Sequence, residues 1–386
     1  MPADTTWDRE DQDVAPPGYP PGFGVGETER DALLTLSSLQ GITPRKLHTL
    51  AWGVGSALGC VDAVRAGRAG SAADRGWVGT ADPAEILRQL TACGGRLLGP
   101  HDHGYPSAFL DLLHDPPAWL YLRGTPIRDE GDRVAVVGAR RCSALGREIA
   151  HDIGRRLGGV GIQVVSGGAF GIDAAAHRGA LAGDGVTIGV LGSGVDVLYP
   201  RSSAELLLQI AERGTLLSEY PPGRRAQPHH FPARNRLVVA LARALVVVEG
   251  AGRSGSRISV DHALDLGRDV FAVPGPVTSP LSETPHEIIR EGATLIRGAD
   301  DVLADLGYVL ARADDAAAPA GLSDVELRVW RALATASLPD GVARAVSMAI
   351  PEAVTLLIRL ELRGLVRGVG GRYERTFAGA SERTDA

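Results

Sequence analysis

The chain has 386 residues, enough for two or three domains at about 150 residues each. Its 44% hydrophobic and 22% charged content excludes a globally disordered chain, and no run of about 18 apolar residues marks a membrane span. A net charge of −6 excludes a uniformly basic nucleic-acid binder, so what matters is where the charge lies.

Residues 1–26 are rich in Pro, Gly and Asp and lack periodicity, which predicts a disordered tail. The opening MPADTTWDREDQD is acidic and has no apolar core, so it does not read as a secretory signal. Residues 27–95 show apolar positions at helical spacing, broken at Gly41 and Thr43-Pro44. Helix, tight turn, helix outlines a helix-hairpin-helix or SAM-like bundle; such a turn either offers backbone N–H groups to a phosphate or simply packs. Over residues 96–311, and clearly from Arg133, apolar strands alternate with helices of about ten residues. That order predicts an α/β domain, Rossmann-like and doubly wound, with a mostly parallel sheet and its ligands at the C-terminal strand ends. Residues 312–321 read as an Ala/Asp/Pro linker. Residues 322–377 hold three candidate helices and a hairpin, the outline of a winged helix, with Ser323 and Glu326 placed as a capping box. A winged helix serves DNA or protein contacts. Residues 378–386 read as a second disordered tail.

The three cysteines, Cys60, Cys93 and Cys142, are far apart, which argues against a disulfide scaffold or zinc ribbon and suits a reducing cytoplasm. His101 and His103 lack further ligands nearby, so no metal is expected. No GxxxxGK[ST] and no strict GxGxxG follow the first strand, so neither a P-loop nor a dinucleotide cofactor is expected. Asp173 and His177 sit one helical turn apart with no nucleophile in view, which favours a structural pair.

The strand-to-helix loops carry the remaining signal. VVGARRCSALG places Gly138, Arg140, Arg141 and Ser143 at one helix mouth, and SGGAFGID places Ser166, Gly167, Gly168, Phe170 and Gly171 at the next. Small residues let backbone approach a phosphate, and first-turn N–H groups point at it. The stretch from Arg224 to Arg236 contains no acid. Within it, Arg234 and Arg236 flank Asn235: guanidinium forks for phosphate and an amide for a base edge or a helix cap. The competing reading is an arginine pair bridging Glu219 and Glu249. GRSGSRIS adds Ser254, Gly255 and Ser256, as phosphate contacts or as caps.

In this order the blocks resemble the DNA-processing protein A family, also called DprA or Smf. The resemblance starts at the Tyr105-Pro106 segment and runs through VVGARRCSALG, VVSGGAFGIDAAAHRGAL and GVLGSGVDVLYP. It continues through LLSEYPPG, FPARNRLVVAL, VVVEGAGRSGSRIS, GRDVFAVPG and REGATLI, covering about residues 100–310. It implies a Rossmann-like protein that binds single-stranded DNA, protects it during natural transformation and helps load RecA recombinase. It also implies no established catalytic activity, no cofactor and a homodimer. The binding residues implied are Arg140, the SGGAFGID loop, Arg234-Asn235-Arg236 and Ser254 to Ser256. Three positions depart from the family: Phe170 where many relatives carry a basic residue, Ser259-Val260 for Thr-Ala, and Thr284-Pro285-His286 for the usual Gly-Asn pair. Phe170 offers a stacking face in place of the basic contact. The rival class is a phosphoribohydrolase-like nucleotide enzyme in which Glu249 or Glu219 acts on a ribosyl bond; a pure protein scaffold is the third.

Overall fold

The apolar runs between Arg133 and Val247 become strands buried almost throughout. The computed structural model describes residues 17–252, 254–308, 319, 321–333, 337–369 and 371–375. The strands of the main sheet are β1 (Gly95–Leu98), β2 (Leu120–Gly124), β3 (Arg133–Val137), β4 (Gln163–Ser166), β5 (Thr187–Val190), β6 (Thr215–Ser218), β7 (Ala244–Val247), β8 (Asp269–Ala272) and β9 (Thr294–Leu295). They lie in the order β1-β2-β6-β5-β4-β3-β7-β8-β9. From β6 to β9 every pairing is parallel, while β1 and β2 add an antiparallel edge. All residues of β3, β5, β6 and β7 are buried, as expected for a parallel sheet covered by helices on both sides.

The chain steps outward from β3 through β4 and β5 to β6, then returns to place β7 on the other side of β3. This reversal is a topological switch point, which opens a crevice beyond the C-terminal ends of β3 and β7. The expected doubly wound, mostly parallel fold is therefore the observed one.

Five helices precede the sheet: α1 (Glu27–Ser37), α2 (Pro44–Val54), α3 (Ala57–Arg65), α4 (Ala72–Val78) and α5 (Pro83–Ala92). They share one compact unit with the sheet, Met1–Val302, because β1 pairs with β2 and the Tyr121 hydroxyl lies 2.6 Å from Ser37 Oγ. The disordered tail expected over 1–26 is wrong for residues 17–26. Tyr19 and Phe23 stack at 4.6 Å inside the helical core, and the Tyr19 hydroxyl donates to the Pro116 carbonyl at 2.9 Å. The apolar surface of two aromatics outweighs the Pro/Gly-rich sequence around them. Residues 1–16 lie outside the described residues. The turn at Gly41 offers no phosphate site either. Its amide and that of Gln40 already donate to Asp74 Oδ1, at 3.2 and 3.0 Å.

Around the sheet run α6 (Ser107–Leu112), α7 (Ala144–Gly159), α8 (Ile172–Ala182), α9 (Ala204–Arg213), α10 (His230–Ala240), α11 (Gly255–Asp265), α12 (Glu283–Arg290) and α13 (Ala299–Asp305). A second unit, Leu303–Ala386, contains α14 (Asp324–Ala332), α15 (Pro339–Ala345), α16 (Ile350–Leu362) and a hairpin of β10 (Val366–Val369) and β11 (Arg372–Arg375). Its core is built on Val329, Leu333, Val342, Leu357 and Leu360, and the capping box at Ser323 and Glu326 is formed. Three helices and a hairpin leave a winged helix as our proposal for this unit. Most of the expected linker, 312–321, and the expected tail, 378–386, lie outside the described residues.

Helices α7 and α8 pack backbone to backbone. A Cβ at Gly179 would run into the His151 carbonyl, and one at Gly154 into the Ala176 carbonyl. Gly53 in α2, by contrast, faces open space. Alanine normally favours a helix over glycine by about 1 kcal/mol. Gly53→Ala is therefore expected to raise the urea unfolding midpoint, whereas Gly179→Ala should cost about 1–3 kcal/mol because the helices must separate.

Candidate nucleic-acid interface

The crevice at the switch point is a cleft of about 440 Å³. Its walls are the β3–α7 loop, the β4–α8 loop, the first turns of α10 and the loop entering α11. The walls come this close because glycine removes side chains where backbones meet. A Cβ on Gly138 would sit 2.7 Å from Ile172 Cγ1 and 2.9 Å from the Glu249 carbonyl. Gly171 has φ +79° and lies against the Ala139 and Arg140 carbonyls, a place no other residue fits.

Nine of the fifteen residues singled out in the sequence line this cleft: Gly138, Arg140, Arg141, Gly167, Arg234, Asn235, Ser254, Gly255 and Ser256. Gly168 and Phe170 line a smaller hollow beside it, which shares Arg140 and Gly167. Ser143, Ser166, Gly171 and Arg236 line neither.

The arginines divide into two kinds. Arg140 and Arg141 are exposed on the β3–α7 loop. The Arg140 guanidinium carbon lies 4.5 Å from the Phe231 ring centroid, a cation–π contact that leaves its N–H fork open. Arg141 has no hydrogen bond or ion pair among the described residues. Arg234 and Arg236, the expected phosphate clamp, are buried. Arg234 Nη1 donates to the Val190 carbonyl at 2.7 Å, holding the end of β5 to α10, and its guanidinium fills the space a Gly167 side chain would need. Burial pushes Arg234 down to about 10, with Asp173 partly offsetting that by its charge. Arg236 is ion-paired with Glu219 at 2.7 Å and with Asp115 at 3.3 Å. The bridging-arginine reading thus holds for Arg236 and Glu219. Glu249 has a different partner.

The Glu249 carboxylate reaches the N-terminus of α7, where it accepts from Ser143 N at 2.9 Å and Ser143 Oγ at 2.6 Å. Ser143 Oγ also accepts from Gly146 N at 2.9 Å, so Ser143 is a helix cap and not a free phosphate ligand. Ser166 is fully buried and donates to the Val136 carbonyl at 2.7 Å, which removes it from the interface. Ser254 and Ser256 share a 2.5 Å hydroxyl contact at the start of α11, and Ser254 makes no capping bond there. Gly255 opens α11 on the exposed side, and Asn235 Nδ2 donates to its carbonyl at 3.2 Å.

Asp173 and His177 do not form the expected pair. The Asp173 carboxylate accepts from Gly167 N at 3.2 Å and Ala169 N at 3.3 Å, shaping the β4–α8 loop. Burial pushes Asp173 up, against the opposing charges of Arg234 and Arg140. His177 Nδ1 lies 2.7 Å from Thr187 Oγ1, which itself donates to the Val164 carbonyl, so the ring nitrogen is the donor. No group of His, Cys, Asp or Glu suited to a metal occurs among the described residues. Sequence reasoning missed Phe231 and Tyr199, both at the hollow. The available signal was an aromatic within each of two motif blocks, HHFPARNR and DVLYP.

Two measurements check this assignment of roles. Arg236→Met strands Glu219 and Asp115 without their cation and is expected to cost about 3–5 kcal/mol in urea unfolding. Burial pushes the His177 imidazole down to about 3. An unfolded imidazole titrates near 6.5, so as pH falls below that value the unfolded chain gains a proton that the native chain refuses. Stability is then lost as pH falls from about 6.5 toward 3. His177→Gln should shrink the loss between pH 7 and pH 5 by about 2 kcal/mol.

Comparison with known proteins places this geometry in context. Residues 96–307 match the family model described as DNA recombination-mediator protein A. A putative DNA processing protein DprA from Mycobacterium tuberculosis is 39% identical over 317 residues, covering 78% of this chain and 82% of that one. The Streptococcus pneumoniae DNA processing protein DprA is 41% identical over 199 residues, 52% of this chain and 70% of its own. The X-ray structure of DprA from Streptococcus pneumoniae superposes with a TM-score of 0.62 at 33% identity, over 74% of this chain and 99% of that one. DNA processing protein A from Helicobacter pylori, a structure concerned with its single-stranded DNA binding mode, gives a TM-score of 0.50 at 31% identity over 55% of this chain and 95% of that one.

Proposed function

The chain belongs to the DNA recombination-mediator protein A family, and on that footing we propose that its switch-point cleft holds the backbone of single-stranded DNA. The observation that carries this reading is the pair Arg140 and Arg141, exposed cations with open N–H forks at the rim of a glycine-walled cleft. Guanidinium forks take phosphate oxygens bidentately. Asn235, Ser254 and the first-turn N–H groups at Gly255 supply the polar remainder on the opposite wall. Gly138 and Gly167 let the walls of the cleft close on the Glu249 backbone and the Arg234 guanidinium. In this role the protein protects single strands during DNA uptake and recombination and hands them to RecA recombinase, acting as a homodimer in the cytoplasm. Among the described residues no helix is long and apolar enough to cross a membrane by itself.

Catalysis is not part of the proposal. The two carboxylates a nucleotide-processing reaction would use are committed to structure, Glu249 to the α7 cap and Glu219 to Arg236.

The test uses fluorescence anisotropy with labelled single-stranded DNA across a salt series. Each phosphate contact on a single strand contributes about 0.7 to the slope of log affinity against log salt. The Arg140→Ala/Arg141→Ala double variant is expected to bind at least about tenfold more weakly, with a slope shallower by about 1.4 and an unchanged melting temperature. Unchanged affinity and slope in that folded variant would overturn the proposal.

A further inference from the structure

We propose that the outward face of α16 is a self-docking surface, on which a second copy of this chain lays its own α16 antiparallel. The inference concerns the second unit alone and stands apart from the single-strand reading. Ile350, Val354, Ile358 and Leu362 recur every four residues, so they form one stripe along the helix. The inner face is a different set, Ala353, Leu357 and Leu360, all buried. Ile350 is 53% exposed, Ile358 45% and Leu362 85%, while Val354 is half-buried. A surface helix normally turns polar residues outward; this one turns out a second apolar stripe. A helix that read a DNA groove would instead present arginine, lysine, asparagine or glutamine to the base edges.

Charge complementarity selects a second copy as the occupant. Glu352 and Arg359 lie along the same flank of the stripe, toward its opposite ends. Glu352 is exposed and has no hydrogen bond or ion pair among the described residues. The Arg359 side chain is 60% exposed and has only a 3.9 Å approach to Glu326. An antiparallel two-fold centred level with Leu356 sets Ile350 against Leu362 of the second copy, and Val354 against its Ile358. The same register brings Glu352 to Arg359 of that copy, and the two-fold repeats the pair. Parallel helices would set Glu352 against Glu352 and Arg359 against Arg359, so charge fixes the direction. On the other flank Glu361 accepts from Gly368 N at 2.8 Å and stays with the hairpin. Stretches 309–318 and 376–386 bring only Val309, Leu310 and Phe377 as large apolar residues, too few to cover the stripe. The stripe is short, about 18 Å from Ile350 to Leu362, and its contact is smaller than the roughly 1,600 Å² of a stand-alone interface. It adds most where copies are already held close together.

The experiment is disulfide trapping in the full chain with Thr355→Cys, an exposed flank position close to the two-fold. Under copper phenanthroline this variant should give a cross-linked dimer above the wild-type background from Cys60, Cys93 and Cys142. Adding Glu352→Arg sets like charges face to face and should cut the linked fraction at least about fivefold. Ile358→Lys, which charges the stripe itself, should do the same. Combining Glu352→Arg with Arg359→Glu restores opposite charges and should recover the linking. Melting temperatures equal to that of the parent show that each variant is folded. A linked fraction no higher than wild type at any protein concentration would leave the face to a different partner and overturn the proposal. Linking that ignores Glu352→Arg, or that the double exchange fails to restore, would overturn it as well. Either result leaves the single-strand cleft untouched.

Discussion

The Glu249 carboxylate bound into the N-terminus of α7 is the constraint on which the site depends. It ties the end of β7 to the start of the helix after β3, across the point where the sheet reverses direction. In a doubly wound fold this helix terminus is where a dinucleotide pyrophosphate would sit. Here the protein's own carboxylate takes that place, and Gly146 leaves it the room. One consequence is that a phosphate from outside must look elsewhere along the crevice. Another is that the β3–α7 loop is pinned at Ser143, which fixes the segment carrying Arg140 and Arg141.

From that anchor the remaining charges sort by burial. Arg234 and Arg236 are spent inside the fold, one on the Val190 carbonyl and the other on Asp115 and Glu219. Arg140 and Arg141 stay in water at the rim. A chain with net charge −6 can still offer a cationic groove, because two open guanidinium groups beside helix termini set the local field. The same sorting leaves Glu219 paired with Arg236 and Glu249 hydrogen-bonded to Ser143.

The sheet was legible because continuous apolar runs such as VAVV and ALVVV have few alternatives to a buried parallel strand. The glycine loops were legible for a related reason: close backbone approach leaves glycine as its trace. Burial of charged residues was not legible. Arg236 sits in an acid-free stretch of sequence, while the acids that neutralise it come from the end of β6 and from the segment before β2. Nothing local marks Arg234 as interior and Arg140 as exterior. Ser143 and Ser166 illustrate the same limit, since a hydroxyl at a loop edge serves a cap, a buried carbonyl or a ligand equally well. The packing of Tyr19 and Phe23 escaped notice because two aromatics in an irregular stretch produce no period.

A crystal structure of the protein with a short oligothymidylate tests the central claim most directly. The account predicts phosphate oxygens within hydrogen-bonding distance of Arg140 and Arg141, with the strand running toward the start of α11 and the Glu249–Ser143 contact intact. A strand bound elsewhere on the molecule, with the cleft empty, or one that displaces Glu249 to reach the α7 terminus, would contradict it.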